Sequence, residues 1–151
     1  MIETINAFIF PINLVALLVT LCCGFAIGLE RQYFGKPAGI RTSILISAGA
    51  YIFVALSASL VEGNNDSGRV VGQVVTGIGF LGAGLMFNNG NLVRGVTSAS
   101  VIWILASIGC LIGFSKYGAA ITITLFTLFV LVGISFLEKK FKNLKQGNHS
   151  E

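Results

Sequence analysis

Five long apolar stretches run through the chain, separated by short polar segments. Their lengths approach the roughly 20 residues that a helix needs to cross a bilayer, and they exceed the roughly 4–8 residues of a buried strand. Backbone groups in lipid must be bonded within a helix or a closed barrel, and no strict apolar/polar alternation favours a barrel. The pattern therefore predicts an all-α integral membrane protein, a bundle of about five transmembrane helices. The predicted spans are approximately 7–29, 42–61, 69–87, 97–114 and 117–137.

The two ends of the chain flank this predicted transmembrane domain, residues 1–137. The first stretch has neither a basic segment before it nor a small-residue cleavage site, so we expect a retained span and not a signal peptide. Residues 138–151 form a basic tail whose lysines alternate with Phe141 and Leu144. Such a tail suits a surface of anionic lipids, with docking to a partner or to nucleic acid as the minor alternative.

Composition excludes the soluble and disordered classes. Hydrophobic residues make up 54% of the chain and charged residues 11%, against about 25% charged in soluble domains. The mean hydropathy is +0.86, far too apolar for a disordered chain. Cys22, Cys23 and Cys110 all lie in apolar stretches, where a thiol packs as a small hydrophobic group.

Basic residues predict the orientation in the membrane, because short cytoplasmic loops are rich in lysine and arginine. With five spans, one side receives Arg31, Lys36, Arg41, Arg94 and the lysines of the tail, and the other receives Arg69 and Lys116. We therefore expect the N-terminus outside and the C-terminus in the cytoplasm. The net charge of +4 then reflects membrane topology, and nucleic acid is not an expected partner.

The chain contains 19 glycines. Gly77, Gly79 and Gly82 form the pattern G-x-G-x-x-G. That pattern binds dinucleotides only within a strand–helix–strand unit, which is not predicted here. In lipid, small residues let helix backbones approach closely, so we expect helix packing, while local unwinding that exposes carbonyl groups stays open. The candidate packing positions are Gly24, Gly28, Gly72, Gly77, Gly79, Gly82, Gly84, Gly109 and Gly113.

A few polar residues stand in or beside the predicted spans. Arg69 and Gln73 would share one face of the third span, turned toward a bundle interior or aqueous cavity, unless Arg69 extends to the headgroups. Glu30 ends the first span, where an acid opposes the helix dipole, so we predict a cationic partner in a cluster of Glu30, Arg41 and Arg94. A structural ion pair and a functional site both remain open for that cluster.

Hydroxyl residues open the fourth predicted span. Thr97, Ser98 and Ser100 can cap the helix or bond between helices, and Trp103 serves either packing or the interface belt. The sequence shows no nucleophile with a base, paired carboxylates or metal-ligand cluster. An enzyme, a catalytic residue, a bound metal and a cofactor are therefore not expected.

Three segments resemble the signatures of the MgtC/SapB family of membrane proteins. They are Gly28–Thr42 (GLERQYFGKPAGIRT), Arg69–Gly84 (RVVGQVVTGIGFLGAG) and Val93–Trp103 (VRGVTSASVIW). The resemblance implies a bacterial inner-membrane protein of about five spans, associated with growth under magnesium limitation and, in some pathogens, survival inside host cells. It assigns family positions to Glu30, Arg31, Gly39, Arg41, Thr42, Arg69, Gln73, Gly79, Gly82, Arg94, Gly95, Thr97 and Trp103.

Two departures from the family pattern favour a short, SapB-like member. Many members carry a soluble C-terminal domain, which is not expected here, and the third signature reads Thr97-Ser-Ala-Ser100 where a Thr-Thr-Ala-Ala-like run is usual. The family is best described as regulating other membrane machinery, and the ATP synthase is one proposed target of its MgtC branch.

Three functions follow as hypotheses. The first is a regulator that binds another membrane protein through small-residue helix faces. The second is an oligomeric transporter or channel for an ion or small solute, and the third is a homo-oligomeric scaffold. The expected partners are the lipid bilayer, a second copy of the chain, with a dimer favoured, and a membrane protein.

Overall fold

The structure, a computed structural model, describes residues 2–60, 67–89 and 92–140. This part of the chain is almost entirely helical, with one short antiparallel hairpin. Four of the helices are long and apolar enough to cross a membrane, so the chain has the all-α, multi-pass architecture that the pattern predicts. The elements are α1 (Ile2–Ile9), α2 (Leu14–Tyr33), α3 (Ile40–Leu60), α4 (Ser67–Gly84), β1 (Phe87–Asn89), β2 (Leu92–Arg94), α5 (Val96–Gly113) and α6 (Tyr117–Lys140).

The first predicted span differs most from the structure. In place of one helix over 7–29, α1 ends at Ile9 and α2 begins at Leu14. Asn13 caps α2, because its side chain accepts hydrogen bonds from the backbone N–H groups of Val15 (2.8 Å) and Ala16 (3.2 Å). Pro11 has no N–H to continue a helix. The membrane-spanning helix therefore begins later and ends later than the predicted span 7–29. It continues to Tyr33 and includes Glu30 and Arg31.

The third predicted span, 69–87, corresponds to α4, which is not among the four membrane-spanning candidates. α4 contains Arg69, Gln73 and several glycines, and it does not reach the hydropathy of the four candidate spans. After α4, β1 and β2 pair in antiparallel register, with Asn89 opposite Leu92, and residues 90 and 91 lie outside the described residues. Of the predicted tail, residues 138–140 continue α6, and residues 141–151 lie outside the described part.

α3 is the central helix of the bundle. It packs between α2 and α5, α6 packs against α2 and α5, and α4 lies on α5 and α3. The fully buried side chains of Ile27, Val54, Leu105 and Ile108 come from these central helices. The bundle therefore has two ends: the Arg31 end, where α2 ends and α3 and α5 begin, and the opposite Tyr51 end.

Glycines let the three central helices approach at backbone distance. A Cβ built on Gly28 would lie 2.6 Å from the Cα of Ile40, and one on Gly24 would lie 2.9 Å from the Cα of Ile44. On the other side of α3, Gly109 faces the Ser47 carbonyl oxygen and Gly113 faces the side chain of Val54, in both cases too closely for a Cβ. These four glycines bring α2 and α5 onto α3.

α2 and α5 end in the same backbone motif. The N–H of Lys36 donates to the carbonyl of Arg31, and that of Lys116 donates to the carbonyl of Leu111, each at 2.8 Å. This bond is the mark of a Schellman cap, whose turning residue adopts a left-handed conformation. That residue is Gly35 (φ 62°) after α2 and Ser115 (φ 59°) after α5.

We expect Gly28→Ala to destabilise the bundle by about 1–3 kcal/mol, because the new methyl group forces backbone shifts in a packed contact. Gly72→Ala is the matched control, since its Cβ would meet nothing within 4 Å. An exposed helical Gly→Ala change stabilises a helix by up to about 1 kcal/mol. Unfolding of the purified protein in detergent measures both, and equal effects would contradict the close α2–α3 contact.

The two Schellman caps give a reciprocal prediction. Ser115→Gly should stabilise the protein by about 1 kcal/mol, because a left-handed conformation disfavours any residue with a Cβ. Gly35→Ser should destabilise by a similar amount, and strain alone is responsible because open space surrounds Gly35. Thermal melts in one detergent compare the two variants, and a shift of the same sign in both would contradict the assignment.

Candidate functional site

Arg31 links α2 to α5 at the Arg31 end of the bundle. Its side chain is only 4% exposed, and its Nη2 donates a hydrogen bond of 2.8 Å to Oγ of Ser98 in the first turn of α5. The hydroxyls of this turn are predicted either to cap the helix or to bond between helices. Ser98 forms a bond between helices. The donor, Arg31, is not identifiable from the sequence, because the two residues are 67 positions apart.

Glu30 forms an ion pair with its neighbour Arg31. Oε2 of Glu30 lies 3.9 Å from Nη1 of Arg31, and the Glu30 side chain is 7% exposed. Within the described residues, neither Oε2 of Glu30 nor Nε of Arg31 has a hydrogen-bond partner. The charge of Lys36 also acts on the carboxylate. The pair is thus buried and only partly satisfied, an arrangement in which removal of one member is strongly unfavourable.

Of the predicted cluster of Glu30, Arg41 and Arg94, Glu30 has an ion pair with the adjacent Arg31, and the grouping of the three residues stays a prediction. Arg41 is exposed at the start of α3, and Arg94 is exposed at the end of β2. Because α2 continues to Tyr33, Glu30 and Arg31 lie within one helix, and the ion pair joins two neighbouring residues of that helix.

The inner face of α4 packs against Trp103 of α5. A Cβ on Gly82 would lie 3.6 Å from the indole Nε1, and one on Gly79 would lie 3.9 Å from the same ring. The indole is nevertheless 45% exposed. These two glycines leave room for the wide ring between α4 and α5. Thr97, in the first turn of α5, is exposed.

The opposite side of α4 points away from α3 and α5. We call it the α4 outer face and define it by Gly72, Gln73, Thr76, Gly77 and Phe80, all of which are exposed. No atom lies within 4 Å of a Cβ built on Gly72 or Gly77, so these glycines serve no contact within the described chain. A Cβ built on Gly84 would also have no neighbour within 4 Å. Two other predicted site residues, Arg69 and Thr42, are exposed.

Metal-ligating side chains do not converge in the described residues. No three or more of His, Cys, Asp and Glu lie together there. The chemistry available at the Arg31 end is therefore that of a buried ion pair bound to a hydroxyl group.

We expect Arg31→Met to destabilise the protein by about 3–5 kcal/mol, since it leaves the buried Glu30 carboxylate without its cation. Glu30→Gln should act in the same direction, and the double variant should lose less than the sum of the two. Arg41→Met is the control, as an exposed basic residue whose loss should change stability by no more than about 0.5 kcal/mol. Additive effects in detergent unfolding would show that the pair does not interact.

Comparison with known proteins covers most of the chain. A profile of the MgtC family matches residues 17–140. The protein named Protein MgtC from Brucella abortus (strain 2308) is 44% identical over 107 residues, which are 71% of this chain and 44% of the relative. Protein MgtC from Salmonella typhimurium (strain LT2) is 38% identical over 112 residues, 74% of this chain and 48% of the relative.

A relative with another name is equally similar. The Putative magnesium transporter YhiD of Escherichia coli (strain K12) is 43% identical over 123 residues, 76% of this chain and 56% of the relative. The chain thus spans about half the length of the curated relatives it matches, and no solved structure matches it. The expected resemblance is confirmed by the profile and by these identities. This chain belongs to the MgtC family.

Proposed function

We propose that the chain is a regulatory protein of the bacterial inner membrane that binds another membrane protein during adaptation to limiting magnesium. The magnesium connection is supported by the name of the Escherichia coli relative, a putative magnesium transporter. The chain covers about half of the length of these relatives. An activity shared with them is therefore part of this proposal.

The observation that carries the proposal is the α4 outer face. Gln73 and Thr76 lie among glycines on a surface that no described part of the chain covers. Oγ of Thr76 donates to the Gly72 carbonyl at 3.0 Å, so its lone pairs remain available to a partner. In lipid, such small and polar residues form interfaces, because backbones approach closely and amides bond across helices.

The proposed topology includes α4 as a fifth span, with the N-terminus outside and the C-terminus in the cytoplasm. Arg31, Lys36, Arg41 and Arg94 then share the cytoplasmic side, as the distribution of basic loop residues favours. α4 lies along α5, which is itself apolar enough to span. Placed beside α5, the α4 outer face meets the bilayer and any protein within it.

An oligomeric transporter is the second candidate function. Gln73 and Thr76 face outward, so a path lined by them would run between copies of the chain. The proposed homo-oligomer, a dimer, would be its minimum unit. Glycine contacts that pack α2, α3 and α5 at backbone distance favour such a path between copies over one through a single chain.

Site-specific photo-crosslinking in cells tests the regulatory function. Benzoyl-phenylalanine at Phe80, 82% exposed on the α4 outer face, should crosslink a different membrane protein, identified by mass spectrometry. The same group at Phe129, 74% exposed on α6, is the matched control and should not capture it. Adding Gly72→Leu should reduce the Phe80 product at least several-fold, whereas Gly49→Leu, at another helical glycine with open space around it, should not.

Two outcomes would contradict the regulatory function. Products formed only with a second copy, at twice the chain mass of 16.0 kDa, would leave no distinct partner. A magnesium flux through liposomes that hold the purified chain, abolished by Gln73→Leu, would support the oligomeric transporter instead.

A further inference from the structure

A cavity of about 210 Å³ lies at the Tyr51 end of the bundle. Its volume is well above the roughly 10–15 Å³ that a single water needs. The segment between α1 and α2, the first turn of α2, the second half of α3, the end of α5 and the start of α6 surround it. It lies at the far end of the bundle from the Glu30–Arg31 pair, so it belongs to a different site.

The described wall of this cavity combines apolar and polar groups and carries no charge. Hydroxyl and amide groups come from Asn13, Tyr51, Ser59, Ser115 and Tyr117, and none of the described lining residues is charged. Lys116, which follows Ser115, is exposed and does not line the cavity, so the wall itself offers a charged ligand no counter-charge. The wall therefore suits an uncharged ligand that carries oxygen atoms.

The Tyr51 hydroxyl gives the ligand a specific partner. The residue is only 2% exposed, and its oxygen accepts a hydrogen bond of 2.7 Å from the N–H of Asn13. Among the described residues, the acceptor of its proton is the carbonyl of Asn13, at 3.4 Å, beyond the usual 2.5–3.0 Å. That carbonyl already accepts from the N–H of Leu17 at 2.9 Å. The Tyr51 proton is thus better placed for an oxygen in the cavity.

The depth of the cavity indicates what kind of molecule reaches it. All four membrane-spanning helices have an end on this side of the bundle: Leu14 begins α2, Leu60 ends α3, Gly113 ends α5 and Tyr117 begins α6. Ends of spans lie at the membrane interface, where aromatic residues such as Tyr117 are enriched. At this depth a bilayer presents the glycerol and ester groups of its lipids.

We propose that this cavity binds the uncharged glycerol-ester portion of a membrane lipid, with an ester or hydroxyl oxygen accepting the Tyr51 proton. Ala16, Ala55 and Ala58 line the cavity with small apolar groups, which leave space for the first carbons of the acyl chains. The proposal is independent of the α4 outer face and of any regulatory partner.

Native mass spectrometry of the full chain in detergent, with added dioleoylglycerol, tests the proposal. We expect one retained dioleoylglycerol per chain. Tyr51→Phe should weaken retention about three- to ten-fold, the range for one hydrogen bond. Ala58→Phe should abolish it by filling the cavity, and because Ala58 is exposed this variant should stay folded. Ala83→Phe, at an exposed alanine of α4, is the matched control and should retain the lipid.

Two further probes separate ester recognition from other binding. Hexadecane has no oxygen and should not be retained, and free glycerol, which lacks acyl chains, should not displace the lipid. Equal retention by the wild type and Ala58→Phe would overturn the proposal. Retention of hexadecane at the level of dioleoylglycerol, or no retained lipid at all, would also overturn it.

Discussion

The close approach of α2 and α5 to the backbone of α3 is the constraint on which the rest of the structure depends. Four glycines make it possible, two on each side of α3. A bilayer supplies no hydrophobic force between helices, so contact at backbone distance and hydrogen bonds must hold them together. The approach also fixes both ends of the bundle, because it brings Arg31 to Ser98 at one end and Tyr51 to Asn13 at the other.

Glycine has two different uses in this chain. On α2 and α5 it removes a side chain that would separate neighbouring helices, and at Gly79 and Gly82 it makes room for the Trp103 ring. On the α4 outer face it adds nothing to the described fold. A residue that weakens helix propensity without improving packing suggests a surface shaped for contact with another molecule, which is the physical basis of the proposed function.

The sequence predicts what depends on local composition and misses what depends on distant contacts. The four long apolar helices follow from hydropathy. The start of α2 depends on the hydrogen bonds of the Asn13 cap, which hydropathy averaged over many residues does not detect. Composition could not distinguish glycines that face a neighbouring helix from those that face open space, since both kinds recur at helical spacing. The partner of Arg31 lies beyond any local pattern, because α3 and α4 intervene between it and Ser98.

The bond between Arg31 and Ser98 has a consequence for the order in which the protein is made. Synthesis is vectorial, so Arg31 leaves the ribosome before its acceptor exists, with 67 positions between them. The contact of α2 with α3 through Gly24 and Gly28 needs only residues that are made before α5. The bond between Arg31 and Ser98 can form only after the start of α5 has been made, so it is a later contact of the bundle than the α2–α3 hairpin.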